Sequence, residues 1–230
     1  MICFLTSSPC YEDCETLNPA NGFTDELRMA LPPQCRGLMI CSDPDSHDFL
    51  DMLAGGMQEA FRKIGIELEP MDTLDGRNKE DAPWLVESAD LIILAGGHVP
   101  TQNWFFRKIG LRRLLENWDG VLMGISAGSM NCAEVVYAHP EEEGEAVDPE
   151  YQRWLPGLGI TPTMVLPHYQ DNKDGELDGM RLYEDIAYPD SMGGEFLCMV
   201  DGTYLLICDG EESVHGESYW IRNGELYRNF

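Results

Sequence analysis

Basic residues are scarce in this sequence: 15 Lys and Arg stand against 41 Asp and Glu, which leaves a formal charge of −26 over 230 residues. A field of that sign repels phosphate backbones and anionic lipid surfaces, so nucleic acid and membrane are excluded as expected partners. Long apolar runs are missing too, because charges interrupt every stretch before it reaches the ~18 residues of a spanning helix. No Lys or Arg precedes Arg28, so the start lacks the basic segment of a secretory signal and a cytoplasmic location is expected. The eight cysteines (Cys3, Cys10, Cys14, Cys35, Cys41, Cys132, Cys198 and Cys208) form no CxxC pair. Cys10 and Cys14 have no His or Cys pair elsewhere to complete a zinc set, so free thiols and no metal are expected. A GxGxxG fingerprint and a Walker loop are likewise absent, and no cofactor is expected.

What is present is a foldable chain, 43% hydrophobic and of a length that suits a single α/β domain over residues 1–230. Short β-type runs alternate with longer amphipathic stretches through the first 135 residues, the pattern of βαβ units. Residues 2–6, 37–41, 66–70, 90–94 and 121–124 read as strands, and the unbroken apolarity of Leu91, Ile92, Ile93 and Leu94 predicts burial on both faces. A helix capped by Ser46 is predicted through Lys63, with Phe49, Leu50, Leu53, Met57, Ala60, Phe61 and Ile64 on its apolar side. Residues 104–118 read as one further helix. Beyond Val135, the acidic stretch 140–145 reads as a solvated spacer, 163–166 as a strand and 176–187 as a helix. The tail is β-rich, with strands at 196–199, 203–208 and 218–222 and hairpin turns at Glu211-Glu212 and Asn223-Gly224. Parallel strands at the centre and antiparallel strands toward the C-terminus follow from this order.

The strongest chemical signal is Gly124-Ile125-Ser126-Ala127-Gly128, placed after the apolar run Val121-Leu122-Met123. A sharp strand-to-helix turn needs glycines on both flanks, because side chains there would clash, and it leaves the central Ser exposed. Ser126 is therefore the candidate nucleophile, against the plainer reading of a structural turn or an anion-binding serine. Such a serine needs a base. Among His47, His98, His139, His168 and His215, the best placed is His168 in Leu166-Pro167-His168-Tyr169, at a strand end of the kind that lines the crevice of open α/β sheets. His98 also follows a strand and is its rival; His47, His139 and His215 read as surface residues. The sequence Ala95-Gly96-Gly97-His98 lets backbone N–H groups approach a ligand, and with the N–H of Ala127 it can form an oxyanion hole.

Taken in order, Ala95-Gly96-Gly97, Gly124-Ile125-Ser126-Ala127-Gly128, Pro167-His168-Tyr169 and Asp201-Gly202-Thr203 resemble the dipeptidase E and cyanophycinase family of serine peptidases. The resemblance runs over nearly the whole chain. It implies a three-layer α/β sandwich similar to class I glutamine amidotransferases, a mostly parallel central sheet, and a serine peptidase acting on short peptides or a related amide. It implies Ser126 as nucleophile, His168 as base, and Gly97 with Ala127 as oxyanion donors. The chain order Ser, His, acid differs from the Ser, acid, His order of α/β-hydrolases. Four carboxylates follow His168 at plausible strand ends or loops, Asp171, Glu195, Asp201 and Asp209, and the expected acid is Asp201. It lies between two apolar runs and occupies the place where the resemblance puts an acidic residue.

The same resemblance puts His98, Asn103, Tyr169 and Arg181 on the substrate side. The family's dipeptidases carry an arginine clamp for an N-terminal aspartate, and here Asp178 stands near that place with Arg181 out of register, so aspartyl substrates are not expected to be preferred. A glutaminase-like amide hydrolase fits less well, since such domains use a Cys elbow and a His-x-Glu pair where this chain has Ser126 and His168-Tyr169-Gln170. A noncatalytic binding or sensor protein is the alternative from outside enzymology. The partner expected is a small peptide or amide, and a homodimer is compatible with this reading.

Overall fold

The structure is a computed structural model, and it describes residues 1–229. Its strands are β1 (Ile2–Thr6), β2 (Gln34–Ile40), β3 (Glu67–Leu74), β4 (Leu91–Leu94), β5 (Val121–Ile125), β6 (Val135–Tyr137), β7 (Trp154–Pro156) and β8 (Met164–Leu166). They continue with β9 (Glu176–Leu177), β10 (Met180–Arg181), β11 (Phe196–Met199), β12 (Tyr204–Cys208), β13 (Glu211–His215), β14 (Ser218–Arg222) and β15 (Glu225–Arg228). The helices are α1 (Phe23–Ala30), α2 (His47–Lys63), α3 (Ala82–Ser88), α4 (Val99–Ile109), α5 (Leu111–Leu115), α6 (Ala127–Met130), α7 (Tyr169–Asn172) and α8 (Tyr188–Asp190), with a π-helical turn at Leu182–Ala187 before the last.

The seven-stranded central sheet has the order β13-β12-β1-β5-β4-β2-β3. Strands β1, β5, β4, β2 and β3 run parallel to their neighbours, while β12 joins β1 antiparallel and β13 joins β12 antiparallel. A second sheet of four strands, β15-β14-β11-β8, is parallel only between β11 and β8. The fold is thus α/β with a mostly parallel central sheet and antiparallel strands added by the tail. All four residues of β4 are fully buried, as their unbroken apolarity predicts for a strand covered on both faces.

Several local expectations need correction. The helix expected over 104–118 is two helices, α4 and α5, because Gly110 between them adopts φ +68° and ends the first. The helix expected over 176–187 is the β9–β10 hairpin followed by the π-helical turn. Asp178 (φ 53°) and Gly179 (φ 78°) make its two-residue turn, and an Asp-Gly pair is suited to two positive φ values. In the tail, the turn lies at Asp209-Gly210, not Glu211-Glu212, for the same reason: both take positive φ, and Glu211 opens β13. Ser46 precedes α2 but makes no side-chain cap; its hydroxyl donates to Asp43 at 2.6 Å. All eight cysteines are free. No helix among the described residues is long and apolar enough to cross a membrane.

This topology brings the carboxyl ends of β1, β4 and β5 side by side, and β8 delivers its own carboxyl end nearby through contacts with α6. Crevices outside such strand ends are where open α/β sheets bind ligands.

Candidate active site

Strand β5 ends at Ile125, and the chain turns into α6 through one residue, Ser126, whose φ of 49° and ψ of −111° lie outside the ordinary basins of an L-residue. The turn is tight because its flanks have no side chains. A Cβ on Gly124 would come within 2.8 Å of Ser129, and one on Gly128 would collide with the carbonyl of Leu94. The Ser126 N–H donates to the Thr6 carbonyl at 3.1 Å and the Ser129 hydroxyl donates to the same oxygen at 2.8 Å, which pins the elbow to β1.

His168 follows β8 in a left-handed conformation, φ 57° and ψ 36°, which turns its ring back toward the elbow. Its Nε2 lies 3.0 Å from Ser126 Oγ, and its Nδ1 lies 2.8 Å from Oδ1 of Asp201, in the turn between β11 and β12. A carboxylate only accepts, so Nδ1 carries the proton and Nε2 is left to accept from the Ser126 hydroxyl. Ser7, just past β1, locks both partners: its hydroxyl donates to Asp201 Oδ1 at 2.6 Å and accepts the His168 N–H at 2.8 Å. Gln170 Oε1 accepts the Asp201 N–H at 3.0 Å.

The electrostatics of the pair follow from this packing. Burial disfavours the protonated imidazole, but the hydrogen bond and charge of Asp201, helped by Asp171 and Glu141, outweigh it and hold His168 above its ordinary value. Burial likewise works to raise Asp201, and the hydrogen bonds from His168 and Ser7 overcome it, so that carboxyl stays below the usual range.

The Gly96-Gly97 segment after β4 runs alongside Ser126: a Cβ on Gly96 would stand 3.4 Å from Ser126 Cβ. Gly97, at φ +150°, is backed so closely by Ser42 that a side chain would collide there. The N–H groups of Gly97 and Ala127 have no protein acceptor among the described residues, which leaves two donors near the serine.

Two cavities meet at Ser126 and His168. One, of about 280 Å3, is bounded by His139, Glu141, Glu176 and Tyr183, among others. The other, of about 360 Å3, lies toward Gly96, Gly97 and α2. Glu141 is an exposed residue, yet the protein packed around its carboxyl at the cavity wall desolvates that group and, with the charge of Glu145, pushes it up to about 7. The 140–145 stretch is therefore more than a solvated spacer. Glu145 accepts the N–H groups of Glu141 and Glu142 at 2.9 and 3.0 Å and bonds His98 Nε2 at 2.8 Å, holding Glu141 at the cavity wall. His139 is also no surface residue: it is only 7% exposed, and its Nε2 donates to the Leu182 carbonyl at 3.0 Å.

The four residues expected on the substrate side border neither cavity. His98 bridges Thr101 and Glu145, each at 2.8 Å. Asn103 is buried, donating to Asn131 at 2.9 Å and to the Pro156 carbonyl at 3.0 Å. Tyr169 packs against Tyr183 and Tyr219, and Arg181 is paired with Asp185 at 2.7 Å. Asp178 is turned away as well, accepting the N–H groups of Gly144 and Ala146. The residues the sequence reading missed are Ser7, Glu141 and Gln170. Ser7 carried a usable signal, its position at the carboxyl end of a predicted strand.

Two clusters, His98 with Glu142 and Glu145 and His168 with Asp171 and Asp201, bring possible metal donors within 4.8 Å of one another. In both, the two ring nitrogens are already engaged by protein groups, so they read as hydrogen-bond networks.

An α/β sheet with a serine on a strand-to-helix elbow, hydrogen-bonded to a histidine that is itself bonded to a carboxylate, has the arrangement of a serine hydrolase. The chain belongs to peptidase family S51, whose family model matches residues 46–214, and that membership supports a serine peptidase. A search of curated proteins finds no match. Among solved structures, a peptidase from an acI-B1 Actinobacterium superposes with a TM-score of 0.69 at 18% identity, covering 99% of this chain and 93% of that one. A putative peptidase E protein from Listeria monocytogenes EGD-e superposes with a TM-score of 0.63 at 14% identity, over 93% of this chain and 96% of that one. At these identities the likeness speaks for the fold.

Proposed function

We propose that this protein is a serine exopeptidase that removes an amino-terminal residue from short peptides. The observation that carries the reading is the unbroken hydrogen-bond chain from Ser126 Oγ through His168 to Asp201, with spacings of 3.0 and 2.8 Å. Ser126 attacks the scissile carbonyl carbon while His168 Nε2 takes the hydroxyl proton. The carbonyl oxygen, now negative, is received by the N–H groups of Gly97 and Ala127. His168 then protonates the leaving amine, and a water molecule, deprotonated by the same imidazole, releases the acyl group. Asp201 holds the tautomer and stabilises the imidazolium at both steps.

The size and polarity of the cavities support short substrates. At about 280 and 360 Å3 they lie just below and just above the lower bound of the ~300–1,000 Å3 of ligand pockets, room for single residues on either side of the bond. The cavity bounded by Glu141 and Glu176 suits an amino-terminal residue, whose ammonium it would neutralise, and disfavours an acidic side chain. Treatment with a fluorophosphonate tests the mechanism. One adduct per chain, mapped to Ser126 and absent in Ser126→Ala, is expected; an unlabelled protein contradicts it and favours a binding protein on the same fold.

A further inference from the structure

The 360 Å3 cavity differs in chemistry from its neighbour across Ser126. No Asp, Glu, Lys or Arg borders it, in a chain where 24% of residues are charged. Met39, Phe49, Leu53, Met57 and Ile125 supply its apolar wall, the 7–14 segment borders it through Ser7, Ser8, Pro9, Cys10 and Cys14, and the Gly96-Gly97 backbone lies beside the nucleophile.

The origin of this wall is visible in α2. The apolar side of the helix is wider than the sheet beneath can cover. Leu50, Ala54, Ala60 and Phe61 are buried against the core. Phe49, Leu53 and Met57 form a separate row at i, i+4 and i+8 that leaves the core by degrees: Met57 is 4% exposed, Leu53 is half-buried and Phe49 is 50% exposed. An exposed phenylalanine continuing a buried row at the edge of a catalytic crevice is apolar surface left without a partner inside the chain. Its continuity with Ser126 and His168, which border both cavities, identifies what covers it: the part of the substrate that lies on the far side of the scissile bond.

We infer that the groove between α2 and the Gly96-Gly97 segment is a binding subsite for an apolar side chain on the second residue of the peptide, the residue released as the new amino terminus. The inference rests on the exopeptidase reading above. The acidic cavity takes the ammonium end, so the apolar groove takes the leaving residue. Methionines 39 and 57 give the wall side chains that adapt to different apolar shapes, so leucine, methionine and phenylalanine are all accommodated.

The test is hydrolysis of dipeptides with alanine or lysine first and leucine, phenylalanine, methionine, glycine, aspartate or lysine second. A preference of roughly 100-fold in kcat/KM for leucine over glycine at the second position is expected, since single methylenes in apolar pockets discriminate by about 10–200-fold. In Phe49→Ser/Leu53→Asn that ratio falls below about tenfold, with folding checked by thermal melting. Phe49→Ser alone, at a half-exposed position, serves if the double variant fails to fold. Peptide cleavage with a flat second-position profile, an apolar preference at the first position instead, or a ratio unmoved in the variants would overturn the inference while leaving the peptidase reading intact. Absence of fluorophosphonate labelling in the wild type would overturn both.

Discussion

Asp201 Oδ1 receives two hydrogen bonds at once, from His168 Nδ1 at 2.8 Å and from the Ser7 hydroxyl at 2.6 Å. The carboxylate is thus held by residues just past β1 and β8 rather than by its own turn. Asp201→Asn is expected to lower kcat by about 10^4-fold, since an amide can stabilise the wrong tautomer and cannot neutralise the imidazolium. Ser7→Ala removes one charge-assisted bond and is expected to cost about 10- to 100-fold. Steady-state kinetics of the two variants check both values, and an unchanged rate in Asp201→Asn would move the acid elsewhere.

The pH profile follows from the same pair. A protonated His168 cannot accept the Ser126 proton, so kcat/KM rises with pH through the His168 pKa, and its midpoint is expected above 6.5 because Asp201, Asp171 and Glu141 outweigh burial. In Asp201→Asn the midpoint moves down. The stability signs are opposite for the two partners. The raised His168 value gives a contribution that is full below 6.5 and lost as pH rises through the folded value. The lowered Asp201 value gives one present above 3.8 and lost as pH falls toward the folded value. Denaturant titrations are therefore expected to show a larger stability gap between wild type and Asp201→Asn at pH 5 than at pH 9.

The positions of Ser126, His168 and Asp201 were legible in the sequence because each is tied to a local constraint. Gly124 and Gly128 are required by the turn around Ser126, and His168 and Asp201 stand at the ends of apolar runs. The three side chains so named lie in one hydrogen-bonded row. What was not legible depends on contacts between distant segments: Ser7 meets Asp201 across 194 residues, and Glu145 reaches His98 across 47. The helix expected over 176–187 gives way to a hairpin because Asp178 and Gly179 both take positive φ, a local turn that ends any helix there. Phe49 was placed on the core side of α2 by periodicity, which fixes the side of a helix but not how far the sheet extends beneath it.

The centre of the sheet sets the stability. Ile93 in β4 is fully buried between strands on both sides, and Ile93→Ala is expected to cost about 2–5 kcal/mol through lost transfer energy and the cavity left behind. Chemical denaturation measures this directly, and a loss under about 1 kcal/mol would mean that the site collapses around the smaller side chain.

Substrate charge gives a further prediction. Arg181 is held by Asp185 and borders neither cavity, so Arg181→Ala is expected to change the rate on any dipeptide by less than about twofold. Aspartate at the first position is expected to be hydrolysed more slowly than alanine or lysine, because it would meet Glu141 and Glu176. Glu141→Gln should narrow that gap. A dipeptide panel led by aspartyl substrates, and weakened in Arg181→Ala, would restore the clamp to Arg181.

The central claim, that Ser126 is the nucleophile of a peptidase, is tested most directly by comparing Ser126→Ala with the wild type on the same dipeptide panel. Ser126 packs little core, so the variant is expected to melt like the wild type while its kcat falls by several orders of magnitude, to the residue left by binding and the oxyanion donors. A folded Ser126→Ala variant that hydrolyses the panel at the wild-type rate would contradict the account.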